Sequence, residues 1–396
     1  MQAFDAAPYE AIGGQVATAV RAHLEPRRQE MIDLLGKLVE IESPSDDVAC
    51  LERFAAALEE VFGDVGPMQR HASGDPERGT HLQLRVDGRE DKLPHAVALC
   101  HYDTVWPPGS LSQNRFSVDD NGVARGPGCF DMKAGIVVLR FALSGLQACG
   151  YQPRRRLEVL FTSDEEVGSP TSRALIERTA ADAAVAYVLE SPLPGGTLKT
   201  ARKGTGDYVV RIQGRAAHAG VEPQKGISAV QEAAQQVLAL HALNDYARAT
   251  TVNVGTIQGG TRRNVVAASA ELGVDVRVAA MSEAERLDAA IRGLQAKLDG
   301  ARLTIEGGLN RPPMERSEAI GRLFERARRI AAAMEVQLEE GATGGGSDGN
   351  FSAALGVPTL DGLGAEGEGA HAAHEHVLVE SLPRRAALVA GLLAEV

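Results

Sequence analysis

The chain is short of cysteine, short of basic residues, and without a long apolar run. Only four cysteines occur in 396 residues, Cys50, Cys100, Cys129 and Cys149, and they are scattered without paired spacing. This excludes a disulfide-stapled scaffold and fits reduced thiols in a cytoplasmic protein. Cys100 and Cys129 stand beside polar residues of interest and are expected to be small buried packing residues. No stretch is long and apolar enough to span a bilayer, so no membrane is expected as a partner. Residues 1–30 lack a basic start followed by an apolar core, the pattern of an export signal. Basic residues number 41 against 53 acidic ones, a formal net charge of −12. Nucleic-acid-binding surfaces are normally basic, so no nucleic acid is expected as a partner. No internal repeat or low-complexity tail is visible.

What is present suits a soluble globular protein. The chain is 44% hydrophobic and 24% charged, and its length is enough for two domains. Apolar residues at helical spacing predict helices over 27–41 and 48–62, broken by Ser43-Pro44-Ser45. An alternation follows: strand 96–100, helix 132–149, strand 157–162, helix 171–180, strand 185–189. This succession predicts an α/β fold, a mostly parallel sheet with helices on both faces. From Gly204 to about Pro312 the order becomes strand, helix, two strands, helix, strand, which matches a ferredoxin-like α+β unit. We expect residues 204–312 to be an inserted domain and residues 1–203 and 313–396 to be the two parts of the first. The second part holds a helix near 318–334, the run Gly344-Gly345-Gly346-Ser347-Asp348, a strand at 358–360 and a final helix near 382–395.

The polar residues of interest follow the apolar strands. The strand at 96–100 leads into His101 and Asp103, that at 157–162 into Asp164-Glu165-Glu166, and that at 185–189 into Glu190. In open parallel sheets ligands bind beyond the carboxyl ends of the strands. Positions 101 and 103 of an extended chain face the same side, which would let the Asp103 carboxylate orient a metal-binding His101 imidazole. Asp131, in Gly126-Pro127-Gly128-Cys129-Phe130-Asp131-Met132-Lys133, has two readings. It is either the N-cap of the following helix or a carboxylate bridging two cations, with the glycines freeing the backbone. Glu165 and Glu166 are either first-turn acids that favour a helix dipole or a pair that acts jointly. Joint action requires a turn, and Gly168-Ser169-Pro170 has turn chemistry. A last donor would come from His371, His374 or His376. Spacing does not choose among them, and a solvated polar loop is the alternative.

Taken in order, these segments resemble the co-catalytic di-zinc amidohydrolases, the family of glutamate carboxypeptidase (glucarpidase), acetylornithine deacetylase, succinyl-diaminopimelate desuccinylase and aminoacylase. The resemblance runs from about residue 27 to the end. It is carried by His101-Tyr-Asp103-Thr, Gly126-Pro-Gly-Cys-Phe-Asp131-Met-Lys, Asp164-Glu165-Glu166-Val-Gly168, Glu190, Gly214-Arg-Ala-Ala-His218-Ala-Gly220, Gly344-Gly-Gly-Ser-Asp348 and His371-Ala-Ala-His-Glu375. It implies a zinc-exopeptidase-like fold whose insert serves as lid and dimerisation domain. It also implies two zinc ions per subunit, with manganese or cobalt as substitutes. Asp131 would bridge the two ions, His101 and Glu190 would complete one site, and Glu166 and His371 the other. Three carboxylate ligands and a hydroxide would balance the ions' charge. Asp103 would orient His101, and Glu165 would be the general acid/base. The resemblance further implies a cis peptide after Asp131.

The implied reaction is amide hydrolysis, with Glu165 moving the proton from water to the leaving amine. The oxyanion would be stabilised in part by His218 from the lid of a partner subunit in a homodimer. Family members hold the free carboxylate of the substrate near the lid hinges. The matching positions here are Asn264, Arg277, Arg311, Gly345, Gly346, Ser347 and Lys203, and an arginine fork suits a carboxylate. The pattern looks closest to the glutamate carboxypeptidase branch, which releases a C-terminal glutamate from N-acyl compounds. A deacylase of N-acyl amino acids, or a dipeptidase, would keep the same metal site. A non-catalytic metal- or ligand-binding protein is a third reading, and the retained Glu165 argues against it, because a binder needs no base.

Overall fold

The computed structural model describes residues 12–396. The stretch in which no export signal is read therefore lies, up to residue 11, outside the described residues. The chain divides into two compact units. One is Met1–Ala201 with Arg316–Ala342 and Ser347–Val396, and the other is Arg202–Glu315 with Thr343–Gly346.

The first unit is built on a six-stranded sheet. Its order is Met68–His71, His81–Val86, Leu157–Thr162, Ala96–His101, Val185–Val188 and Thr359–Leu360. The last four run parallel, and the first two add an antiparallel edge. Ala96–His101, Leu157–Thr162 and Val185–Val188 are buried at every residue. Strands covered on both faces read as continuous apolar runs rather than alternations. Successive side chains take opposite faces. Ala96, Ala98 and Cys100 join one core with Val16, Val138 and Leu388. Val97 and Leu99 join a smaller one with Leu175, Ile176 and Phe351. The first core is covered by Ile12–Leu24, Ala134–Ala148 and Ser381–Glu395, the second by Arg173–Ala180 and Gly349–Ala354.

The structure departs from the sequence reading at several elements. The antiparallel edge and the helix Ile12–Leu24 were not anticipated; Met68–His71 is largely polar, and no apolar run marks it. The helix expected from Met132 begins at Ala134. Asp131 (φ −118°, ψ 95°) and Met132 (φ −128°, ψ 34°) are not helical, and the peptide between them is cis. The N-cap reading of Asp131 is thereby corrected: the cap position belongs to Lys133. The helix expected from Thr171 starts at Arg173, because the N–H groups of Thr171 and Ser172 donate to the Asp164 carboxylate at 2.7 and 3.2 Å.

The second unit holds a four-stranded antiparallel sheet, ordered Thr251–Gly259, Ser269–Val278, Gly204–Gln213 and Arg302–Arg311. The helices Ala229–His241 and Met281–Arg292 fall in the connections. Tyr208, Val210, Ile212, Leu272, Val274 and Val276 pack with Ala233, Leu240, Leu287 and Ile291. The opposite face carries Asp207, Arg211, Glu271 and Asp275, the one-sided burial usual in antiparallel sheets.

Candidate metal centre

Three neighbouring parallel strands deliver the polar residues to one sheet edge. His101 closes its strand in register with Thr162, and Leu99 is in register with Val188. The chain leaving Thr162 therefore brings Glu165 and Glu166 beside His101, and the chain leaving Val188 brings Glu190. Asp131 arrives from the turn before Ala134–Ala148, and His371 from the loop after Gly367–Glu368.

Asp131 stands in the middle. Its Oδ1 lies 3.2 Å from His101 Nε2, which is also 3.3 Å from Glu190 Oε1. Its Oδ2 lies 3.2 Å from His371 Nε2, which is also 3.1 Å from Glu166 Oε2. The two oxygens of one carboxylate thus face two separate histidine–glutamate pairs. His101, Asp131 and Glu166 offer ligand atoms within 4.8 Å of one another, and so do His101, Glu165 and Glu190.

The donors fit divalent cations. Glu166 Oε1 is buried and has no hydrogen-bond partner among the described residues, a costly state unless something else neutralises it. Imidazole nitrogens and carboxylate oxygens without a thiolate suit zinc, manganese or cobalt in an open site. Cys100 and Cys129 are buried, and burial pushes both thiols far up, as expected of packing residues. Without cations, the carboxylates act on the histidines instead. Hydrogen bonds from Asp131 and Glu166 raise His371 to about 11. Burial works against a charge on His101, but Asp103, Asp131 and Glu190 override it and hold the imidazole well above its ordinary value. Burial lifts Glu166 to about 7. Asp131 falls far below the carboxylate range, because His101 and His371 outweigh its burial.

Two carboxylates anchor the site from behind. The expectation that the Asp103 carboxylate orients His101 is revised in its detail. His101 Nδ1–H donates to the backbone carbonyl of Asp103 at 3.0 Å, while the carboxylate Oδ1 stands 3.5 Å away. The buried carboxylate instead accepts the N–H of Glu165 and of Glu166, each at 3.1 Å, and the hydroxyl of Ser45 at 2.8 Å. Glu375, read from the sequence only as a spacing mark, accepts four N–H bonds, from Trp106 Nε1, Gly128, Phe130 and Asp131, at 2.7–3.0 Å. Burial pushes its carboxyl up, against the pull of those donors. His374 and His376 make no contact with this cluster among the described bonds; His376 Nδ1 bonds the His374 carbonyl.

The other candidate residues lie in the second unit, except Ser347, which opens a segment of the first. Ser347 Oγ donates to Asp361 at 2.7 Å. Arg277 and Arg311 are both in register with Thr205, one on each side. Arg277 is bound by Asp275 at 2.7 Å, and Arg311 is buried. A Cβ on Gly346 would press on Arg311 and Thr205. The Lys203 N–H donates to Thr343 at 3.0 Å. Arg202, which sequence reasoning missed, donates to the carbonyls of Gly345 and Gly346 at 3.2 and 3.0 Å. His218 and Asn264 share an exposed corner, where Ala219 N–H donates to the Asn264 carbonyl at 3.0 Å and His218 bridges Val265.

Comparison with known proteins agrees with this geometry. Residues 98–395 match the model of peptidase family M20/M25/M40. Carboxypeptidase G2 of Pseudomonas sp. (strain RS-16) is 33% identical over 379 residues, covering 92% of this chain and 89% of that one. Aminopeptidase PepT from Bacillus cereus shares the fold, with a TM-score of 0.76 at 24% identity over 93% of this chain and 98% of its own. So does the Bacillus subtilis YXEP protein, a dinuclear metal-binding peptidase, with a TM-score of 0.64 at 18% identity over 93% of this chain and 97% of its own. The chain belongs to peptidase family M20/M25/M40, whose scaffold carries a dinuclear metal site and hydrolyses amide and peptide bonds.

Proposed function

We propose that this protein is a di-zinc carboxypeptidase that releases a C-terminal glutamate, or a similar amino acid, from an N-acyl or peptidyl substrate. The observation that carries the hydrolytic part is the placement of the two Asp131 oxygens at 3.2 Å from two different histidines. In this reading Asp131 bridges, His101 and Glu190 hold one ion, and Glu166 and His371 hold the other. Bound divalent cations supply Lewis acidity toward the amide carbonyl and lower the pKa of the attacking water. Glu165 is left to take that water's proton on its carboxylate and to deliver it to the leaving nitrogen. Asp103 holds the Glu165 backbone in place for this transfer.

The preference for glutamate is supported by the 33% identity to carboxypeptidase G2. Likeness to a p-aminobenzoyl-glutamate hydrolase of Escherichia coli, 36% identical over 128 residues, adds to it. Arg277 and Arg311, flanking Thr205, are suited to carboxylates. The second unit serves as a ferredoxin-like lid and joins two protomers, so that His218 reaches the site of the partner. Its strand Thr251–Gly259 ends the sheet with an open edge, where Ile257 is exposed, and Leu238 is exposed on the neighbouring helix. An open edge of this kind invites pairing with a second chain.

A panel of N-acyl amino acids with zinc supplied, varying the C-terminal residue, tests the substrate. Absence of any preference for glutamate would overturn the carboxypeptidase assignment in favour of a deacylase or dipeptidase. Light scattering tests the dimer. Recovery of activity on mixing His218→Ala with a metal-site variant tests the sharing of His218.

A further inference from the structure

We infer that Glu375 is a positioning residue that locks the turn carrying Asp131 to the loop carrying His371, and so builds the second cation site. The inference rests on the reading of Asp131 and His371 as ligands of one ion. Glu375 is 2% exposed. Its Oε1 accepts the N–H of Phe130 at 2.8 Å and of Asp131 at 3.0 Å. Its Oε2 accepts the N–H of Gly128 at 3.0 Å and Trp106 Nε1–H at 2.7 Å. All four partners are donors. Only an ionised carboxylate offers acceptor sites on both of its oxygens and no hydrogen of its own. A glutamine here would turn its NH2 toward two N–H groups, whichever way the amide is flipped.

The same residue fixes its own loop. Glu375 N–H donates to Ala372 at 2.9 Å, and Ala372 N–H donates to Gly369 at 2.9 Å. His371, between them, has φ 63°. Gly369 has φ 86°, and a Cβ there would stand 3.0 Å from the Glu375 backbone, so the turn closes tightly on Glu375. The His371 side chain is 52% exposed, so packing alone does not hold it. Its distance to Asp131 is set by the buried tie four residues further along the chain. Glu375 thus fixes both members of the pair that meets at 3.2 Å.

The test uses full-length protein stripped of metal and titrated with cobalt(II) alone, with visible absorption and competition against a chromophoric chelator as readouts. Wild-type protein is expected to take up two ions. Glu375→Gln is expected to keep the first and to bind the second about 10–100-fold more weakly, the usual cost of losing a group that supports a ligand. Trp106→Phe removes one of the four donors and is expected to weaken the second ion about fivefold, the worth of one hydrogen bond. Equal affinities for both ions in Glu375→Gln and wild type would overturn the inference. If Glu375→Gln does not fold by circular dichroism, Trp106→Phe decides, and unchanged affinity there overturns it. Uptake of a single ion by wild-type protein would overturn the two-cation reading itself, a result distinct from a two-ion wild type matched by a two-ion Glu375→Gln.

Discussion

The carboxylate of Asp103 receives the backbone N–H of Glu165 at 3.1 Å through one oxygen and that of Glu166 at 3.1 Å through the other. Neighbouring residues on a regular strand face opposite ways. A buried acceptor at this point turns the chain so that both glutamates serve one site. Asp103→Asn would aim an amide NH2 at one of those N–H groups. We expect kcat to fall about 10–100-fold. The ion held by His101 should remain, because the carbonyl that orients its Nδ1 belongs to the backbone and survives the change. Steady-state kinetics paired with metal analysis would check this; unchanged kcat would refute it.

Glu165→Gln separates chemistry from metal binding. Glu165 shares a group of ligand-type atoms with His101 and Glu190, yet Asp131, Glu166 and His371 complete their own cluster without it. If Glu165 moves the proton, the amide should lower kcat by about 10²–10⁴, the range for loss of a general acid/base. Zinc content should stay at the wild-type value. Loss of an ion together with activity would make Glu165 a ligand instead.

The parts of the site that were legible in the sequence are those that depend on local pattern. Three strands buried on both faces announce themselves as apolar runs, and their ends place His101, Glu165, Glu166 and Glu190 without further information. Asp131 was ambiguous because a loop acid before a helix looks the same whether it caps the helix or leaves it. Only the backbone angles at Asp131 and Met132 decide. Glu375 was illegible for a different reason. Its donors come from positions 106, 128, 130 and 131, and nothing near residue 375 records that they converge. The orienting carbonyl of Asp103 carries no signature either, since every residue has one. Met68–His71 escaped notice because an edge strand made of polar residues has no apolar run.

In the second unit, Glu283 ties the start of Met281–Arg292 to its surroundings. It accepts Arg286 Nη2 at 2.7 Å, Thr250 Oγ1 at 2.9 Å and Arg248 Nη1 at 2.9 Å. Arg286 foremost, against an opposing effect of burial and with help from Thr250 and Arg248, holds its carboxyl at about 2, below the ordinary 4.5. A carboxyl lowered by folding contributes stability above its unfolded pKa and loses it as the pH falls through the folded one. The contribution should therefore be complete above about pH 4.5 and gone near pH 2. Thermal midpoints of wild type and Glu283→Gln should differ at pH 6 and converge as the pH approaches 2. A gap that does not change with pH would count against the assignment.

Gly135 links helix packing to the metal centre. It lies in the first turn of Ala134–Ala148, where a Cβ would overlap the carbonyl oxygen of Leu189 and come within 2.7 Å of Met132 Cε. Leu189 immediately precedes Glu190, and Met132 immediately follows Asp131, so relief of that overlap must move one ligand or the other. Gly135→Ala is expected to destabilise the fold by about 1–3 kcal/mol through overpacking and to lower zinc content. Gly145, further along the same helix, provides the control. A Cβ there meets the Val20 side chain at 2.7 Å, which belongs to the core and not to the site. Gly145→Ala should cost stability while keeping the zinc content of the wild type. Urea unfolding and metal analysis on both variants distinguish a local effect on the ligands from a general loosening of the helix, and equal zinc loss in the two would favour the latter.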